Sequence, residues 1–320
     1  MKKCMVLLVL VALILGGCAS STSKKKTIGV LTWMTHPALD SAVKGMSDEV
    51  KSALGEDNVE IIVKNANEDA TSAQTIAKDF VNQGVDLIYA VATPSAQAVY
   101  AATKGGSIPV IFAAVTDGVE AGIIESNAKP NTNVSGVSDA APIETQMKLI
   151  KEILPNATKV GMLYTLSEVN GKIQVDQAKE IGKTIGLEVI DKGIAQDSEI
   201  ATAAQQIASQ TNAIYIITDN KIVSATATLV NQANTAGIPV FAAEDSQMSQ
   251  GLLASDSLSY EGMGKEAGSM IVKIVKDGAN VSEMPVVTQG ATSLLINKKV
   301  ADALKITLPQ SVVDRATIAD

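Results

Sequence analysis

The residues of this chain whose types could do chemistry fall into short polar clusters. Thr93-Pro94-Ser95-Ala96 sets two hydroxyls at the predicted start of a helix. There the unmet N–H groups and the dipole favour an anion such as a carboxylate. N-capping by Thr93 is the competing reading and needs no ligand. Ser138-Asp139 and Asp219-Asn220 place short acidic groups at predicted strand ends, where either acid could face an ammonium. For Asp219 the alternative is a cap on a helix predicted over Lys221 to Val230. Trp33, the sole tryptophan, directly follows a strand and offers a flat wall to an aromatic or apolar ligand, or packs at a domain surface. His36, the sole histidine, precedes Pro37 and reads as a ligand hydrogen-bonding group or an ordinary loop residue. Glu168, Asn170 and Glu244 occupy equivalent places after later strands. A zwitterion needs both signs within one cleft, and these clusters supply both.

Catalysis has little to stand on. A nucleophile, a base and an orienting group must lie within reach of one another, and every histidine-dependent arrangement would have to use His36. The two cysteines, Cys4 and Cys18, both fall near the N-terminus. The sequence contains no Gly-x-Ser-x-Gly elbow, histidine cluster, phosphate loop or dinucleotide fingerprint, so no cofactor or metal is expected and the reading is a non-enzyme.

The elements that must position these clusters form an α/β pattern. Apolar, β-rich runs alternate with amphipathic helices, as in parallel sheets covered on both faces. The strands Thr27–Leu31, Val59–Val63, Leu87–Val91 and Val110–Ala114 are separated by helices over Pro37–Leu54, Ala70–Gln83 and Pro94–Thr103. The order then repeats. Lys159-Val160-Gly161 echoes Thr27-Ile28-Gly29, Gly186-Leu187-Glu188 echoes Asn58-Val59-Glu60, and Ala213-Ile214-Tyr215 echoes Leu87-Ile88-Tyr89. Gly237-Ile238-Pro239-Val240 likewise echoes Ser107-Ile108-Pro109-Val110, and the offsets of the four pairs run from 126 to 132 residues. The expectation is two similar doubly wound parallel-sheet lobes joined by a hinge with crossover strands. The first takes 27–133 and about 257–285, the second 134–256 and about 286–320. Parallel sheets bind ligands at the carboxyl ends of their strands, which is where the polar clusters fall.

The N-terminus carries a separate signal. Lys2 and Lys3 precede a twelve-residue apolar stretch, Met5 to Gly16, which is short of the ~20 residues a membrane-spanning helix needs. Leu15-Gly16-Gly17-Cys18 closes it and a polar Ser/Thr/Lys stretch follows. This layout resembles the lipobox of bacterial lipoproteins. It implies a signal peptide over 1–17, acylation at Cys18 and a tether over 18–26, with the rest held on the outer face of the cytoplasmic membrane. Removal of Lys2 and Lys3 would change the balance from 26 cations against 34 acids to 24 against 34. So acidic a surface disfavours nucleic acid as a partner.

Several motifs taken in order resemble the substrate-binding lipoproteins of ABC importers of the tryptophan/tyrosine type, within the periplasmic-binding-protein superfamily. They are Gly29-Val30-Leu31 with Thr35-His36-Pro37-Ala38-Leu39-Asp40, Ala92-Thr93-Pro94-Ser95-Ala96, Ile108 to Phe112, Val134 to Asp139, Ser167-Glu168-Val169-Asn170 and Ile217-Thr218-Asp219-Asn220. Gly118 departs from a proline common in that family after a Thr-Asp turn, which leaves the role of its loop less secure. The resemblance implies a receptor that closes two lobes over a small zwitterion, most readily an aromatic amino acid, and delivers it to a permease and its ATPase. A branched-chain amino acid, another small polar solute, or a signalling role at a membrane receptor remain alternatives.

Overall fold

Short aliphatic runs become strands buried on both faces, and their order repeats in the two halves of the chain. The computed structural model describes residues 25–319; the expected signal segment and Cys18 lie outside the described residues. In the first half, β1 (Lys26–Thr32), α1 (Pro37–Leu54), β2 (Val59–Asn65), α2 (Ala70–Gln83), β3 (Leu87–Val91), α3 (Thr93–Thr103), β4 (Val110–Ala113) and β5 (Val134–Ser138) build a parallel sheet in the order β2-β1-β3-β4-β5.

The second half begins with α4 (Ile143–Ile153), β6 (Lys159–Thr165), α5 (Val169–Ile185), β7 (Glu188–Ile194), α6 (Ile200–Ala208) and β8 (Ala213–Ile216). It continues through α7 (Asn220–Ser224), α8 (Thr226–Ala236), β9 (Val240–Ala242) and β10 (Ala254–Ser257). The strand order, β7-β6-β8-β9-β10, is that of the first sheet. The repeat read from sequence is therefore a repeat of topology, and the fold is two parallel-sheet α/β lobes.

Two of the expected crossovers fall elsewhere. The run at 134–137 was expected to open the second lobe, yet β5 pairs with β4 in the first. Gly136 permits this, since a Cβ there would lie 2.3 Å from the Phe112 carbonyl oxygen. The chain crosses only after Asp139. It returns to lobe one as α9 (Tyr260–Asp277). Then β11 (Val287–Thr288) extends the first sheet beside β5, while β12 (Ser293–Asn297) pairs antiparallel with β10 in the second. These two short strands thus belong to different lobes, and residues 289–292 form a third crossing. α10 (Lys298–Ala303), α11 (Gln310–Val313) and β13 (Thr317–Ala319), which pairs with β12, complete lobe two.

Each lobe has its own core. In lobe one, Ile28, Val30, Leu87, Tyr89, Ile111 and Phe112 share one buried cluster with Met46 of α1 and Met263 and Ile271 of α9. In lobe two, one face of the sheet gathers around Met147, Met162 and Tyr215 and the other around Leu163, Ile207 and Ile216. α9 is locked to α1 by a glycine contact: a Cβ at Gly264 would lie 2.1 Å from the Ala42 carbonyl oxygen, and one at Gly45 2.2 Å from that of Glu261. Among the described residues no helix is long and apolar enough to cross a membrane.

Candidate functional site

The carboxyl ends of β1, β3, β4 and β5 adjoin along one edge of the first sheet and deliver its polar clusters. After β1 the chain turns through Trp33 and reaches His36, the residue before α1, with extended backbone at φ −155°. After β3, Ala92 adopts φ +79°, and after β4, Ala114 adopts φ +56°. Left-handed geometry in a non-glycine residue costs roughly 1–3 kcal/mol and persists where its surroundings hold it. Here Ala92 N–H donates to Ala113 O at 3.0 Å. The turn starts α3 at Thr93, so Thr93 is the first helical residue and caps nothing. Both its hydroxyl and that of Ser95 are buried without a hydrogen-bond partner. Ala96 N–H is already taken by Ala92 O at 3.0 Å, so it adds no free donor.

Asp139 is held from two sides. Thr116 Oγ1 donates to its Oδ1 at 3.1 Å and the Tyr260 hydroxyl to its Oδ2 at 3.0 Å. Burial pushes its carboxyl up to about 6, against the pull of those two bonds. Ser138 serves the turn itself, donating to Thr116 O and accepting from Ala140 N–H, both at 3.0 Å. Gly118 leaves this loop intact: Asp117 Oδ1 accepts from the N–H groups of Val119 and Glu120, at 2.9 and 3.0 Å.

In lobe two, Asp219 is the cap of α7, accepting from Ile222 N–H at 3.1 Å. It also clamps the end of β6, accepting from Thr165 N–H at 2.6 Å and Thr165 Oγ1 at 2.7 Å. Its carboxylate borders the cleft, and these bonds make it the cap that was the alternative reading for it. Glu168 stands immediately before α5, where its Oε2 accepts from Asn220 Nδ2 at 2.6 Å and Asn220 N–H at 3.2 Å. Glu168 Oε1 is buried without a partner, as is Asn170 Oδ1. Asn170 Nδ2 donates to Thr218 O at 2.8 Å. Burial, and next the charge of Asp219, push the Glu168 carboxyl well up. Glu244 accepts from Ser246 N–H at 2.9 Å and is raised by burial as well.

The two edges meet across a closed cleft. His36, Leu39, Ala114, Asp139 and Tyr260 from lobe one, and Asn170, Thr218, Asp219, Asn220 and Glu244 from lobe two, line one tight hollow of about 10 Å³. Larger hollows open elsewhere, as along Lys179–Lys183 with about 460 Å³, but none of the unpartnered polar atoms lines that one. Thr116 Oγ1 and Thr218 Oγ1 touch across the cleft at 3.4 Å. Burial drives His36 down to about 4, opposed in part by nearby Asn220, so its ring is neutral; neither nitrogen has a partner in hydrogen-bonding geometry. Among the described residues no lysine or arginine lines the cleft, although three carboxyl groups do; of these, Asp219 feels the charge of Lys221. Buried carboxylates without a counter-charge are costly, as are buried donors and acceptors without partners.

Of the residues singled out in the sequence, His36, Asp139, Asn170, Asp219, Asn220 and Glu244 line the cleft together, and Glu168 bonds directly to one of them. Trp33, Thr93, Ser95, Ala96 and Ser138 are buried along the strand ends of lobe one without lining that hollow. Buried Trp33 leaves its Nε1 unpartnered. Sequence reasoning missed Tyr260 and Thr116, the two residues that hold Asp139. The signal for Tyr260 was present in Ser259, whose side chain caps α9; Thr116 stood next to the Gly118 departure.

Comparison with known proteins agrees with this geometry. The family model described as ABC transporter substrate binding protein matches residues 27–319. A curated relative from Clostridioides difficile, the tyrosine-binding protein, is 41% identical over 89% of this chain and 82% of its own. A domain from Streptococcus pneumoniae solved with L-Trp superposes with a TM-score of 0.88 at 35% identity, covering 92% of this chain and 99% of that one. A ligand-free, open substrate-binding protein from Clostridium difficile, 36% identical and with the same coverage, superposes with a TM-score of only 0.71. The match along nearly the whole described chain, and the cleft it encloses, place this protein in the ABC transporter substrate-binding family.

Proposed function

We propose that this chain is the lipid-anchored solute receptor of an ABC importer and that it captures an aromatic L-amino acid between its lobes. The observation that carries the reading is a cleft whose buried carboxyl groups, Asp139 and Glu244 with Glu168 adjoining, meet no protein cation. An ammonium supplies the missing charge. The unpartnered hydroxyls of Thr93 and Ser95, at the start of α3, suit the carboxylate of the same ligand. Trp33 and the neutral His36 remain for its side chain. The aromatic choice is supported by the tyrosine-binding relative and the structure with L-Trp. Cys18 would anchor the receptor on the outer membrane face, beside a permease and its ATPase; non-catalytic capture is the whole of its role.

Calorimetry on ligand-free protein with L-tyrosine, L-phenylalanine and L-leucine tests the class. Tyramine lacks the carboxylate and 3-(4-hydroxyphenyl)propionate lacks the ammonium. Each should bind at least ~100-fold more weakly than L-tyrosine, because each leaves one set of buried polar groups unmatched. Equal affinity for either analogue would remove the zwitterion reading. The anchor is tested by fractionating cells that express Cys18→Ala, which should release the protein from membranes.

A further inference from the structure

Among the ion pairs between described residues, one joins the lobes: Lys221 Nζ lies 3.1 Å from Glu68 Oε2. Lys221 also meets Asp197, within its own lobe. The side chains of Lys221 and Glu68 are only 18% and 24% exposed, whereas Asp197 is 71% exposed. The interlobe contact is therefore the better shielded of the two, and screening by water and salt weakens it less.

Both partners are wired to the cleft. On lobe one, Asn67 and Glu68 adopt φ +52° and +60°, two successive non-glycine residues in the left-handed region. That strained loop is tied to the tryptophan turn: Glu68 N–H donates to Trp33 O at 2.9 Å, and Asn65 Nδ2 donates to Thr35 Oγ1 at 2.8 Å. On lobe two, Lys221 follows Asp219-Asn220 in the first turn of α7, and Asn220 is bonded to Glu168. A ligand that orders the Trp33 turn or the Asn220–Glu168 pair therefore brings the two charges together, and by reciprocity the ion pair favours the closed, liganded arrangement.

We propose that Glu68 and Lys221 form a closure latch, positioning residues that touch no ligand but hold the lobes shut and so set ligand residence time. The inference rests on the reading of the cleft as an amino-acid site. Removing the latch lowers the population of the closed state, and apparent affinity falls in proportion.

The test is stopped-flow binding of L-tyrosine to wild type, Glu68→Gln, Asp197→Asn and the charge reversal Glu68→Lys/Lys221→Glu carried together with Asp197→Asn, which removes the acid that would repel the new carboxylate. Glu68→Gln should raise the off-rate roughly 5- to 20-fold, within the usual range of coupling energies, and leave the on-rate nearly unchanged. The charge reversal should recover most of the loss, and Asp197→Asn should behave as wild type. Salt should speed release from wild type and not from Glu68→Gln. An off-rate for Glu68→Gln equal to wild type, or a loss that the reversal fails to recover, would overturn the latch. Should wild type bind no aromatic amino acid, the functional reading fails on its own. The latch is then read by solution scattering at low salt, where wild type must be more compact than Glu68→Lys; equal profiles overturn it.

Discussion

The Thr93 hydroxyl has no partner in the folded protein, so removing it should stabilise the empty receptor while weakening the filled one. Thr93→Val keeps the shape and discards a buried, unsatisfied polar atom. Thermal unfolding of ligand-free protein should show a gain of about 1 kcal/mol. Calorimetric affinity for L-tyrosine should fall roughly tenfold, the equivalent of one lost hydrogen bond. Asp219 should behave in the opposite way. Its oxygens accept from Thr165 and Ile222, and Asp219→Asn would turn an amide donor toward one of those donors. The expected cost is ~1–3 kcal/mol of stability, visible as a lower melting temperature before any ligand is added. Thr93 and Asp219 stood alike in the sequence, each either a cap or a ligand contact. Whether each caps its helix depended on one residue of helix phase: α3 begins on Thr93, whereas α7 begins after Asp219.

At the scale of elements, the pairing of α9 with α1 decides how lobe one is completed. Gly264 faces the backbone of Ala42 too closely to admit a side chain. Gly264→Val should force the helices apart and destabilise the protein by about 1–3 kcal/mol, measured by denaturant titration. Because Tyr260 opens α9 and bonds to Asp139, the same change should weaken ligand binding beyond its effect on stability. The helices of the first half were legible in their periodicity, and α1 and α2 run as expected. α9 carries Gly262 and Gly264 in its first two turns, which lower local helix propensity, while Gly264 serves the close packing on α1. The helix expected over 221–230 is broken at Ala225 into α7 and α8. The Asp219 cap that starts α7 is a tertiary clamp on β6, so its direction is set from outside the helix.

For the whole molecule, the buried charges make stability and binding depend on pH in opposite senses. The carboxyl of Asp139 is raised from 3.8 to about 6, and those of Glu168 and Glu244 are also raised. Across this window the folded protein holds more protons than the unfolded chain. The stability these groups contribute is complete below their ordinary values and is lost as pH climbs through the raised ones. His36, lowered from 6.5 to about 4, has the reverse sign: its contribution is complete above 6.5 and lost as pH falls toward 4. Ligand-free protein should therefore lose thermal stability from pH 6 to 8. An ammonium ligand favours the ionised carboxylates, so its affinity should rise over the same interval with release of protons. Calorimetry in two buffers of different ionisation enthalpy measures that release, and Asp139→Asn should reduce it. Proton uptake on binding would contradict the ammonium assignment.

The sequence by itself determined the alternation of strand and helix, the repeat of one four-strand plan, and the positions of the polar clusters at strand ends, because each is written in local periodicity and order along the chain. Tertiary structure alone decided which lobe owns β5, β11 and β12, since strand ownership depends on backbone contacts such as Gly136 against Phe112. It also decided that the carboxyl groups of Asp139 and Glu244 face no cation, that Thr116 and Tyr260 hold Asp139, and that Lys221 reaches Glu68 across the cleft. Those facts join residues from different elements, and for Lys221 with Glu68 from different lobes. Burial and distance between such residues come into being only when the separate elements pack on one another.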